Sequence, residues 1–158
     1  MELSFIKTRS SVRKDLIIAC IDFYSRELNI INREFKLIVE SKKDYNKEEG
    51  HYGSVGALIK FKKYQQKNDP RLYLMTIDSK LDFDKLIEVL AHEMIHVKQN
   101  VLGQMRKEGR TSYWLGKKVV FSNINYYDRP WEIEAWSKEK LLAIKFYKEL
   151  QTMRKKKI

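Results

Sequence analysis

Apolar positions recur along the chain in blocks whose spacing switches between helical and alternating. In residues 12–28, Leu16, Ala19, Cys20, Phe23 and Tyr24 return every three or four positions, which predicts a helix. Phe35-Lys36-Leu37-Ile38-Val39 predicts a short strand, and the polar residues 41–53 a loop. Residues 56–62 and 71–77 read as paired strands joined by a polar turn that ends in Asp69-Pro70. A second helix starts at Asp82 or Asp84 and turns Leu86, Ile87, Leu90, Ala91, Met94 and Ile95 inward, ending near Gly103. Beyond it the pattern weakens: Trp114-Leu115-Gly116 predicts a turn and Val119-Val120-Phe121 a strand. Pro130, in a first turn behind Asp128, predicts a final helix with Trp131, Ile133, Ala135, Trp136, Leu141, Leu142, Ile144 and Phe146 as its apolar content. The sum is an α+β fold: three main helices packed on a small, mainly antiparallel sheet, in a single domain over residues 1–158.

Composition narrows the classes. With 158 residues, 43% hydrophobic and 34% charged, the chain has the make-up of one soluble domain rather than a disordered segment. No apolar run approaches the ~18 residues that span a bilayer, so no membrane role is expected. Met1-Glu2-Leu3-Ser4-Phe5-Ile6-Lys7 carries no secretory pattern, and the lone Cys20 sits in an apolar run as a small buried residue. Both point to a cytoplasmic setting. A formal charge of +11 predicts long-range attraction to polyanions, including nucleic acid. Only Arg154-Lys155-Lys156-Lys157 forms a basic run, however, and such an end normally reads as a solvated helix tail.

The chemistry concentrates in His92-Glu93-Met94-Ile95-His96, which uses two of the three histidines. On a helix, positions i and i+4 lie about 40° apart around the axis and about 6 Å along it, so both imidazoles can meet one ion. Glu93 then reaches a metal-bound water without being a ligand. Two neutral nitrogen ligands, an open water position and an adjacent carboxylate are what a zinc hydrolase requires.

A third protein ligand is needed. Gln99 and Leu102 stand where a metzincin has glycine and its third histidine, which excludes that class. His51 lies in a polar stretch and reads as an exposed loop side chain. Glu132 and Glu134 are the better candidates, and their side chains point about 200° apart, so one alone faces the metal. The helix N-terminus accounts for Glu132 without function, whereas an unpaired Glu134 in an apolar setting is costly; Glu134 is favoured, with Glu132 the alternative.

Leu90-Ala91-His92-Glu93-Met94-Ile95-His96 followed by Pro130-Trp131-Glu132-Ile133-Glu134-Ala135 resembles the small zincin-like metallopeptidase proteins of bacteriophages. It is similar, more distantly, to the gluzincins, where a downstream helix supplies a glutamate, often in a Glu-Ala pair. The resemblance covers roughly residues 85–140. It implies a zincin-like domain, a metallopeptidase activity, the host cytoplasm as setting, and Glu134-Ala135 as the matching ligand position. Thermolysin-type gluzincins place an aspartate four residues beyond the glutamate to orient the first histidine. Lys138 stands there, so that partner is missing or comes from elsewhere.

The expectation is a zinc peptidase acting on a peptide or protein substrate, with His92, His96 and Glu134 as ligands and Glu93 as general base. Tyr126, Tyr127 and Arg129 are candidate oxyanion donors, and Gln99 a candidate partner behind a ligand. Residues 56–77 offer a sheet edge for an extended peptide, with Lys60, Lys62 and Lys63 favouring acidic substrates. Trp114 is a candidate cleft aromatic, with core packing as its ordinary reading. Two non-enzymatic classes compete: a basic module that binds nucleic acid or protein on a zincin scaffold, and a metal-stabilised interaction protein of a phage particle.

Overall fold

A computed structural model describes residues 1–8, 10–43, 53–57, 71–108 and 111–155, with the backbone alone at 54–57. The first strand, β1 (Glu2–Ile6), was not anticipated: it is short, and only Leu3, Phe5 and Ile6 are partly covered. Ser10 then caps α1 (Ser11–Glu27), its side chain accepting from the Arg13 amide. The helix stops where Asn29 turns left-handed at φ 57°, a conformation asparagine tolerates. β2 (Lys36–Lys42) follows, running three residues past the apolar run that marked it. β3 (Gly53–Ala57) and β4 (Leu72–Asp78) pair antiparallel as expected, with β3 placed earlier than the predicted residues 56–62. Residues 58–70, with Lys60, Lys62 and Lys63, and His51 lie outside the described residues.

The sheet order is β1-β2-β4-β3, and here the expected antiparallel character fails in part. β1 and β2 are parallel, as are β2 and β4; β3 alone runs the other way, at the edge. For β1 and β2 the cause is connectivity, since strands joined through a helical crossover such as α1 return in the same direction; between β2 and β4 the chain runs back through β3. A second, antiparallel sheet of β5 (Met105–Glu108), β6 (Thr111–Trp114) and β7 (Lys117–Val119) occupies the stretch whose pattern was weak. Its two-residue turn, Leu115-Gly116, has φ of 48° and 80°, the geometry that matches strand twist in tight hairpins.

Asp82 caps α2 (Phe83–Val101), accepting from the Lys85 amide at 2.7 Å. Arg13 fixes where α2 begins, donating to the carbonyls of Leu81 at 2.8 Å and Asp78 at 2.9 Å. α2 is buried nearly all round, packing on the first sheet, on α1 and on α3 (Pro130–Lys155). Leu90, Met94 and Ile95 of α2 join Ile21 and Tyr24 of α1, Met75 of β4 and Phe146 of α3 in one hydrophobic cluster. The result is mixed α+β with three helices and two small sheets. No helix among the described residues is long and apolar enough to cross a membrane.

Candidate metal centre

α2 and α3 cross where the helical pattern placed chemistry. On α2, His92 and His96 are one turn apart and turn toward α3, while Glu93 turns toward β3. On α3, Glu132, Ala135, Glu139 and Ala143 are spaced three and four apart and share a face. The two alanines are buried and let the helices approach closely.

Three ligand atoms converge. His92 Nε2 and His96 Nε2 are 3.1 Å apart, and each is 3.3 Å from Glu132 Oε2. A tetrahedral ligand set with metal–ligand distances of ~2.0–2.1 Å has edges of about 3.3 Å, so the triangle already has the size an ion needs. Among the described residues this is the group of histidine and carboxylate atoms that could hold a metal ion.

The expected third ligand, Glu134, is elsewhere, and this corrects the sequence reading. Its carboxylate accepts from Lys98 and Lys138, both at 2.6 Å, and from Gln99 Nε2 at 3.0 Å. Burial alone would raise its pKa, but Lys138, Lys98 and Gln99 pull it down to about 2. The premise that Glu134 was an unpaired carboxylate in an apolar setting was therefore wrong. One signal was legible: Lys138 lies four residues on, the spacing of a helical ion pair.

Behind the ligands, each imidazole has a partner at Nδ1. Glu139 Oε2 lies 2.6 Å from His92 Nδ1, and Gln99 Oε1 lies 2.8 Å from His96 Nδ1. Gln99 was a sequence candidate for this place; Glu139 was missed, although it follows Glu132 by two helical turns. With Lys138 at the expected position, the carboxylate partner of the first histidine is either missing or supplied from elsewhere; Glu139 supplies it.

Charge in the site is tightly compensated. Burial lowers the His92 pKa, but hydrogen bonds to Glu132 and Glu139 overcome it and raise it to about 9. His96 moves up too: burial opposes the charge, and Glu132 and Glu93 favour it more. For Glu132, burial is outweighed by hydrogen bonds from His92, His96 and Tyr126, and its carboxyl is held well below the usual range. Glu93 moves the other way, since burial raises it more than the two histidines lower it. It is 3% exposed, and its Oε2 has no hydrogen-bond partner among the described residues. A buried carboxylate oxygen beside two imidazoles suits a water carried by the ion, so the residues present fit a metal centre.

Of the candidate oxyanion donors, Tyr126 is placed at the site: its hydroxyl donates to Glu132 Oε2 at 3.0 Å. Tyr127 stacks on Trp136 and is largely exposed. The Arg129 guanidinium lies over the Phe121 and Tyr126 rings. Trp114 is half-buried and packs against the buried Trp131, ring centres 5.9 Å apart. No protein-family model, curated protein or solved structure matches this chain.

Proposed function

We propose that this protein is a zinc-dependent peptidase whose metal is held by His92, His96 and Glu132. The observation that carries the reading is the triangle of His92 Nε2, His96 Nε2 and Glu132 Oε2, with sides of 3.1, 3.3 and 3.3 Å, beside the buried Glu93. Zinc bound there supplies a water acidic enough to attack at neutral pH and polarises the scissile carbonyl. Glu93 accepts the proton of the attacking water and returns it to the leaving nitrogen; its raised pKa suits a group that must hold that proton briefly. Of the candidate oxyanion donors the Tyr126 hydroxyl touches the ligand set, and its one hydrogen, given to Glu132 at 3.0 Å, would turn to the developing oxyanion.

A peptide is the substrate class best supported. β3 ends the first sheet among the described residues, and its Gly53 lies against Glu93. An extended peptide added along that strand passes its backbone over the carboxylate. The net charge of +11 adds attraction toward acidic or polyanion-associated substrates.

The test is metal stoichiometry of the purified protein followed by Glu93→Gln. One zinc per chain in both proteins, with proteolysis lost in the variant, supports the reading. Unchanged proteolysis in Glu93→Gln removes the assigned base, and no zinc uptake by the wild type removes the centre.

A further inference from the structure

Gln99 is 1% exposed and makes three hydrogen bonds that leave its amide one orientation. Its Nε2 lies 2.9 Å from the Trp131 carbonyl oxygen and 3.0 Å from Glu134 Oε2. A carbonyl can only accept, and Glu134, with ammonium groups at 2.6 Å from both Lys98 and Lys138, is an ionised acceptor as well. Both hydrogens of the amide nitrogen are therefore committed. Rotating the amide by half a turn sets its oxygen against two acceptors, which burial makes prohibitive. Oε1 must face His96 Nδ1, at 2.8 Å, and an amide oxygen can only accept. So Nδ1 of His96 carries a hydrogen in either charge state, and Nε2, 3.3 Å from Glu132 Oε2, is the nitrogen left to meet an ion.

We infer that Gln99 is a positioning residue: braced by Glu134, it fixes the ring orientation and tautomer of His96 and ties that ring to the backbone of the helix that carries Glu132. The inference rests on the metal-site reading for its purpose, but the hydrogen-bond chain stands without an ion. It gives Glu134 a role the sequence did not suggest. The carboxylate sits one step behind Gln99, and Lys98 and Lys138 hold it there. The Trp131 carbonyl adds a mechanical element, since Trp131 precedes Glu132. Gln99 is thereby bonded to the same turn of α3 that supplies Glu132. The two metal histidines are thus steadied differently, His92 by a carboxylate on α3 and His96 by an amide on its own helix.

The test combines ring-nitrogen NMR with zinc titration on the full chain. In wild type, zinc-free and zinc-loaded, the His96 Nδ1 proton is expected to exchange slowly and the nitrogen to report the Nδ1–H form. Gln99→Met keeps length and burial but removes all three bonds; its His96 proton should exchange rapidly while the His92 proton, bonded to Glu139, stays protected. Zinc affinity should fall about 10- to 100-fold, the range for partners behind a ligand. Glu134→Gln can still accept from Gln99 and should stay near wild type, whereas Glu134→Leu should fall between. If Gln99→Met does not fold, Glu134→Leu carries the test through the same proton. A protected His96 Nδ1 proton in Gln99→Met, or in Glu134→Leu where that variant carries the test, overturns the inference. So does a loss of zinc affinity that leaves that proton untouched, because it assigns Gln99 to helix packing alone. A wild type that takes up no zinc defeats the metal reading instead, and the zinc-free spectra still decide the orientation of Gln99.

Discussion

Gly53 lies so close to Glu93 that a Cβ added to the glycine falls 2.7 Å from Glu93 Oε1 and 2.9 Å from its Cγ. No side chain fits there without moving the carboxylate. The contact joins the edge strand to the proposed base, so the sheet sets the position of Glu93 as much as its own helix does. Gly53→Ala is expected to displace Glu93 while leaving the three ligands in place. Since a misplacement of ~1 Å costs about 100-fold in rate, turnover should fall on that order with zinc affinity almost unchanged. Steady-state kinetics beside zinc titration checks it; parallel loss of both places the damage in the fold.

The two glutamates of α3 should separate cleanly. Glu132→Gln replaces the carboxylate that lies 3.3 Å from both imidazole nitrogens with a neutral amide and should cut zinc affinity by more than the ~10–100-fold typical of an outer partner. Glu134→Gln, altering a group held by Lys98 and Lys138, should leave zinc bound. Competition with a zinc-binding dye distinguishes them. Reversal of the order restores Glu134 as the ligand.

Zinc uptake should release protons at pH 7. His92 in the zinc-free protein has its pKa raised from 6.5 to about 9, so it is charged at neutrality, and an imidazole must lose its proton to bind. A folded pKa above the unfolded one contributes stability fully present below about 6.5 and lost as pH rises through about 9. The zinc-free protein should therefore weaken across that window, and zinc affinity should climb over it. Calorimetry in buffers of different ionisation enthalpy reads the proton count, and urea midpoints read the stability.

Phe146 should matter to the whole molecule rather than to the site. It is 1% exposed, and its ring sits 5.5 Å from that of Phe23 and 5.8 Å from that of Tyr24, joining α3 to α1. Phe146→Ala should destabilise the fold by about 3–5 kcal/mol through lost burial and the cavity left behind, measured by urea unfolding.

The local pattern of the chain determined the helices and, in the first sheet, β2 and β4. Their boundaries follow from Ser10 and Asp82 caps, Pro130 in a first turn, and apolar spacing, all of which act within a few residues. Local spacing likewise placed His92, Glu93 and His96 on one stretch of helix, because a helix converts sequence separation directly into direction. Tertiary structure decided the rest. That β1 and β2 run parallel depends on how α1 crosses over, and that β4 pairs with β2 rather than β3 alone depends on the order of strands in the sheet; alternation in a single strand encodes neither. The choice of Glu132 over Glu134 depends on the angle at which α3 meets α2, and on Lys98 and Gln99 reaching across from the other helix. Glu139 behind His92 and Gly53 against Glu93 are of the same kind. The sequence settles which way a residue points around its own axis; the packing of one axis on another settles what it meets.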